Sequence, residues 1–551
     1  MSKSYTDADT LKEAIYKDLQ IDDHILHKWK TKDYSISPEK SKSLLSLIAS
    51  IDTVLIFGDY DCDGICASYI AYSCIHKLYP QKNVEVFLPT RAEGYGINDR
   101  MIHAALESQK SGNTLVITVD TGIAAKDKIN QLIDNGVKVA ITDHHEFKSK
   151  DGISALPRAD YMVDPKCAFL KNPFTETNYC GAAVIYKLFE PYLEPAIKRE
   201  MMCYAGLASV ADCIEMREGT WQLVHNTLDM FHKGLAPYAL VLLLSMMGQG
   251  IETIREDSFG YYLGPAFNAP GRLDDPIIVF NYLKLPCEQL ANKIVELNNK
   301  RKELRDEEVE IVKAQVIAEG KDKVSPIWIY TPNLHTGIVG IVAGHIAEEF
   351  HAPTIVLTDK APGVLGGSAR SYEDFNIYEY LYDHADLISQ FGGHPSAAGL
   401  SMTMDGYEKI QQFVTRNKAK EKISLGKRIV PELIPVATEI VNELRPFGEY
   451  FKEPLFHTDL DLVHGPFYVS FLGEKKNHIR IEDLDKQYKI IHFFHKEYIK
   501  KQNPPINQTK FCAIGHVHDS YFRGVFTPEM NIENILPVEL ASKIDEEMEI
   551  S

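Results

Sequence analysis

The sequence has no C-x-x-C pair; its nine cysteines, an odd number, are scattered between Cys62 and Cys512. That spacing argues against a zinc site and a disulfide framework, and it leads us to expect reduced thiols in a cytoplasmic protein. Positive charge is also short. The formal net charge is -18, which disfavours a whole-surface DNA footprint but leaves room for a local basic groove. Long hydrophobic runs are missing. The least polar stretch, Gly234 to Gly250, is broken by Pro, Ser, Gln and Gly and falls short of the roughly 20 apolar residues of a membrane span. It reads as a buried helix, and no membrane partner is expected. The opening "MSKSYTDADTLKEA" lacks an apolar h-region, so no secretory signal is expected either.

What is present is acid in a distinctive place. "VLIFGDYDCDGICAS" sets Asp59, Asp61 and Asp63 at alternate positions ahead of Gly64. An EF-hand loop begins this way, but the twelfth position, where its closing Glu belongs, is Ile70. The residues before the acids, Thr53 to Phe57, form a short β-branched run, and those after, Ile65 to Leu78, are apolar at helical spacing. The acids therefore stand where a strand hands over to a helix. Two more strand-like runs end the same way. "LVITV" leads to Asp120, and "VKVAIT" leads to Asp143, His144, His145 and Glu146. Strands alternating with helices predict a mostly parallel α/β sheet, whose carboxyl ends share one edge and can bring distant residues together.

At 551 residues, the chain has room for three or four domains. We expect a divergent N-terminal segment over 1–50, a catalytic α/β domain over 51–285, and a connector helix over 286–320. A second α/β unit should cover 321–425 and a small β-barrel 433–540. The connector, free of Gly and Pro between Cys287 and Glu319, repeats apolar residues at spacings of three and four. The second unit carries three Gly-rich pieces, and the last segment has several short strand-like runs.

So many carboxylates beside a His pair suit hard divalent cations, Mg²⁺ or Mn²⁺, and two such ions about 3.5–4 Å apart can flank a phosphoryl group. Each acid alone has a plainer role, since Asp caps helices that follow strands. Gly-rich loops can bring backbone N–H groups to an anion, and Ser368 and Arg370 in "GSARS" suit phosphate; the same glycines also suit plain turns. Arg91 and Arg272 could contact phosphate or pair with a carboxylate. His394 could be structural.

"DYDCDG", "VDTGI", "TDHHE" and "ASVADCIEM" resemble, in order and spacing, the motifs of the DHH phosphoesterase family, and "GGHPSAAG" resembles the signature of its companion domain. Within the family, "RAEGYGIN", "GPAFNAPGRLDD", "HTGIVGIVAGHIAE", "GSARS" and "LRPFGEYFKEPLF" look like motifs of the RecJ-type exonucleases, specific for single-stranded DNA. The likeness covers about Val54 to Pro537, and the last segment looks like their OB-fold. It implies two divalent cations, with Asp61 and Asp63 each holding one, Asp120 bridging, and His144 and Asp212 completing the second. His145 would face the scissile phosphate, and Asp59 and Asp143 would orient the ligands. Arg91, Arg272, Ser368, Arg370, Gly392, Gly393 and His394 would bind the strand. The implied activity is 5′→3′ degradation of single-stranded DNA to 5′-mononucleotides in repair and recombination, alongside a single-strand-binding protein or a helicase. The alternative is a DHH phosphodiesterase acting on short oligonucleotides or cyclic dinucleotides.

Overall fold

The computed structural model describes residues 5–94, 96–147, 152–171, 174, 178–416, 424–501 and 509–550. Five strands form the first sheet: β1 (Thr53–Phe57), β2 (Asn83–Phe87), β3 (Thr114–Val119), β4 (Lys138–Thr142) and β5 (Tyr161–Val163), in the order β2-β1-β3-β4-β5 and all parallel. β3 is buried along its whole length, as a continuous apolar run covered on both faces should be. The carboxyl ends of β1, β3 and β4 run into Asp59, Asp120 and Asp143.

Ahead of this sheet, residues 8–49 fold into three helices, Ala8–Asp18, Asp23–Thr31 and Pro38–Ala49. Asp7 and Asp22 cap the first two, accepting from the Thr10 and Ile25 N–H groups. These helices tie both ends of the chain together. Trp29 packs on Trp221 and Phe451, with ring centroids 5.9 and 5.4 Å apart. Tyr5 makes a β-bridge with Ile429.

Helices follow β5. The apolar stretch around 234–250 contains the helix Tyr238–Met246, and among the described residues no helix is long and apolar enough to cross a membrane. The connector is the helix Glu288–Ala318, whose 31 residues span about 46 Å. Ala291, Ile294 and Leu297 bury its first part, while Val312 and Val316 join the next unit.

That unit is a mixed sheet in the order 390–394, 397–402, 364–370, 354–361, 327–330, with one parallel pair at the 327–330 edge. Here one expectation is corrected. Ser368 and Arg370 lie on the strand Val364–Arg370, not on a Gly-rich loop. Their backbone is paired on both sides, with Val356 and Gly399 opposite Ser368, so its N–H groups serve the ladder and leave anion binding to side chains. "GGHPSAAG" is likewise a hairpin between the strands Gln390–His394 and Ala397–Met402.

The C-terminal domain is an OB-like, mostly antiparallel sheet of seven strands, introduced by the helix Ile434–Leu444 and dominated by the hairpin Lys510–Phe522/Val525–Leu536. One apolar core runs from Leu11 through the first sheet and its helices to Ile535, whereas residues 312–410 close around two cores of their own.

Candidate metal centre

Each acid arrives by an identifiable local device. Asp61 caps the helix Cys62–Leu78, accepting from the Gly64 N–H at 3.0 Å through one oxygen. The plain capping role and membership of the cluster thus coexist. Asp63 is clasped by the start of the helix Gly181–Phe189, with the Gly181 and Ala182 N–H groups donating at 2.6 and 2.8 Å. That approach needs glycine, because a Cβ at 181 would stand 2.5 Å from the Asp120 Cβ. Asp120 itself takes a left-handed backbone, φ 58°, which Asp and Asn tolerate better than most residues.

The side chains converge. His144 Nε2 lies 3.0 Å from Asp120 Oδ1, 3.5 Å from Asp63 Oδ2 and 3.7 Å from Asp212 Oδ2. Three ligand sets have their donor atoms within 4.8 Å of one another: Asp63, His144 and Asp212; Asp59, Asp61 and Asp120; and Asp120, His144 and His145. Asp59, which the resemblance gives an orienting role, thus has a carboxylate oxygen within 4.8 Å of oxygens of Asp61 and Asp120. Asp143 is fully engaged in positioning, accepting from the Ile123 N–H at 2.9 Å, the His144 N–H at 2.8 Å and the His145 ring at 2.8 Å.

The electrostatics are those of a site built for added positive charge. Burial, then repulsion from its acidic neighbours, pushes the Asp120 carboxyl well above the ordinary range, and the same causes raise Asp59, Asp63 and Asp212. Burial and the nearby charges of His145 and Lys166 hold His144 well below its usual value, leaving the neutral imidazole that metals bind. His145 goes the other way. Burial lowers its pKa, but the hydrogen bond to Asp143 and the surrounding acids raise it to about 9. Asp120 Oδ1 is buried, and the His144 Nε2 3.0 Å away does not meet it in hydrogen-bond geometry. A buried carboxylate oxygen without a well-formed hydrogen bond, among raised acids and a neutral imidazole, fits hard divalent cations.

Four guanidinium groups gather nearby. Arg91 lies over the Tyr60 ring at 4.8 Å and donates to the Gly271 carbonyl at 3.3 Å. Arg272 donates to the Gly337 carbonyl at 3.0 Å; burial and the charges of Arg91, Arg301 and Arg370 push it down to about 10. A Cβ on Gly340 would be 2.8 Å from Arg370 Nη2 and 3.1 Å from Ser368 Oγ, so both side chains face the first turn of the helix Val339–Phe350. Among the described residues none of these four arginines forms an ion pair with a carboxylate. His394, on its hairpin, feels burial first and then the charges of Arg370, His145 and Lys166, all of which lower its pKa. Gly392 and Gly393 lie on the same strand.

Other members carried no signal in the sequence. Lys166 Nζ is 3.4 Å from His144 Nδ1, and Asn268 Oδ1 accepts from the Cys62 N–H at 2.7 Å, across 206 positions. Asn268 lies within "GPAFNAPGRLDD", where only the arginine stood out.

Comparison with known proteins follows these units. Residues 53–212 match the DHH family, N-terminal domain; residues 323–422 match the DHHA1 domain, and residues 431–534 the RecJ OB domain. The single-stranded-DNA-specific exonuclease RecJ of Bacillus subtilis is 32% identical over 464 residues, 80% of this chain and 56% of that relative. The chain thus spans little more than half the length of this relative. The exonuclease of the same name from Escherichia coli is 26% identical over 470 residues, 78% of each chain. In fold, the chain is similar to the crystal structure of RecJ in complex with Mn²⁺ from Thermus thermophilus, with a TM-score of 0.72 at 21% identity over 95% of this chain and 76% of that one. The chain thus carries regions matching the DHH, DHHA1 and RecJ OB domains in that order, and it is similar to RecJ exonucleases along about 80% of its length.

Proposed function

We propose that the protein is a metal-dependent 5′→3′ exonuclease that degrades single-stranded DNA to 5′-mononucleotides. One observation carries the reading: a cluster of acids around a neutral imidazole lies near a group of arginines that, among the described residues, form no ion pair with a carboxylate, and His394 feels the charge of both Arg370 and His145. Asp63, His144 and Asp212 would hold one cation and Asp59 and Asp61 the other, with Asp120 common to both; the ions would be Mn²⁺ or Mg²⁺. Bound there, the cations supply charge for the phosphoryl group and acidify the attacking water. His145, its Nδ1 held by Asp143 and its pKa near 9, offers a proton from its other nitrogen to a phosphate oxygen. Arg370 and Ser368 hold the 5′-phosphate, Arg91 and Arg272 the following backbone, and the Gly392–Gly393–His394 strand closes over the terminus. The C-terminal domain gathers the strand through stacking and phosphate contacts.

Repair and recombination are the processes that need this activity, with a single-strand-binding protein or a helicase as protein partners. The alternative, a phosphodiesterase of short oligonucleotides or cyclic dinucleotides, leaves the connector helix and the third domain without a task. End-labelled single strands and duplexes incubated with Mn²⁺ or Mg²⁺ separate the readings. Mononucleotides released from the 5′ end of long single strands are expected. Release from the 3′ end, or turnover confined to di- and trinucleotides, would overturn the proposal.

A further inference from the structure

Asp212 follows the helix Pro195–Ala211, at the head of a turn that passes through Cys213, φ 51°, to Met216. A segment more than 200 positions away braces this turn. Leu444–Glu453 leaves the helix Ile434–Leu444 and leads into the C-terminal sheet. The Met216 N–H donates to the Glu449 carbonyl at 2.7 Å, and the Arg217 guanidinium lies over the Tyr450 ring at 4.9 Å. The segment is itself pinned. Arg445, buried, pairs with both Glu256 and Glu453, and Glu256 also accepts from the Phe447 N–H at 3.1 Å.

We infer that Leu444–Glu453 is a positioning strap for the metal centre, a part of the route to the C-terminal domain that sets where the Asp212 carboxylate stands relative to His144 and Asp63. The inference rests on the metal-centre reading and goes beyond it, because none of the strap's residues touches the ligand cluster. A carboxylate on a turn with a left-handed residue beside it has several places to point, and ligand geometry selects among them. Bracing Met216, four residues on, restricts that choice.

Gly448 gives a test that spares the buried Arg445 charge, whose loss would leave Glu256 unpaired and endanger folding. A Cβ at 448 would stand 3.2 Å from Met216 Cε and 3.3 Å from its Cβ, and Met216 is 1% exposed, so it has little room to yield. Gly448→Val in the full chain should push on the turn. Mn²⁺ binding without DNA, read from the electron paramagnetic resonance of free Mn²⁺, is expected to weaken about tenfold. Adding Met216→Ala to this variant should vacate the space and restore wild-type affinity. If Gly448→Val does not fold, Gly448→Ala takes its place, with a smaller shift in the same direction. A folded variant that melts earlier yet binds Mn²⁺ as tightly as wild type would reduce the strap to a structural role and overturn the inference. So would a loss that Met216→Ala does not restore. A wild-type protein that binds no Mn²⁺ would overturn the metal-centre reading beneath it.

Discussion

Asp120→Asn is expected to make the metal-free protein more heat-stable while removing its activity. The carboxylate is buried beside Asp63, Asp61, Asp59 and Asp212, and burial followed by those charges raises its pKa. An acid raised in the folded state costs nothing below its unfolded pKa, about 3.9, where both states are protonated. The cost sets in above that value, grows as pH rises toward the folded pKa, and is present at neutral pH when no cation is bound. Asparagine keeps the shape, tolerates the left-handed backbone and carries no charge. The gain in melting temperature should therefore appear at pH 7 in chelator and vanish near pH 3. Added Mn²⁺ should stabilise the wild type and have little effect on the variant. Hydrolysis should fall on the order of a thousandfold or more, since several kcal/mol of transition-state stabilisation go with the cation. Melting curves with and without Mn²⁺, alongside rates on a labelled strand, check both halves. A variant that is less stable in chelator and still active would show that the acids are balanced by something other than metal.

Arg370→Ala is expected to erase the preference for a 5′-phosphate. Cations alone give a nuclease no sense of direction; a group must hold the strand end at a fixed remove from the scissile bond. Arg370 has no carboxylate partner among the described residues, faces a helix start beside Ser368, and lies close enough to His394 to affect its titration. Charged hydrogen bonds of this kind are worth about 1.5–3 kcal/mol, so phosphorylated ends should be cut roughly 10- to 100-fold more slowly. Ends bearing a 5′-hydroxyl should change little. Rates on the two substrates, measured side by side at saturating Mn²⁺, give the ratio. Equal slowing of both would move the anchor to Arg91 or Arg272.

Legibility followed sequence distance. Strand runs ending in acids were readable because β periodicity and the α/β alternation are local, and parallel strands bring their ends to one edge without further instruction. The same reasoning placed Asp61, Asp63, Asp120 and His144 together. Alternation alone cannot say which of the three carboxylates, Asp59, Asp61 and Asp63, turns inward; the orienting role of Asp59 is what the family resemblance implies. Glycines at 366 and 367 suggested a loop, yet the strand Val364–Arg370 is held by partners on both sides, a tertiary effect that composition does not carry. Long-range backbone contacts were invisible for the same reason. The clasp of Asp63 by Gly181 spans 118 positions and uses main-chain N–H groups that every residue but proline possesses.

The shared core that runs from Leu11 to Ile535 gives the two chain ends a common fate on heating. Sequence order suggests beads melting one after another. The buried contacts describe instead one discontinuous body, made of the N-terminal helices, the first sheet and the C-terminal sheet, with residues 312–410 looped out as a separate one. Calorimetry should then resolve at most two transitions, and protease cuts that appear within the N-terminal helices should appear in the C-terminal sheet at the same temperature.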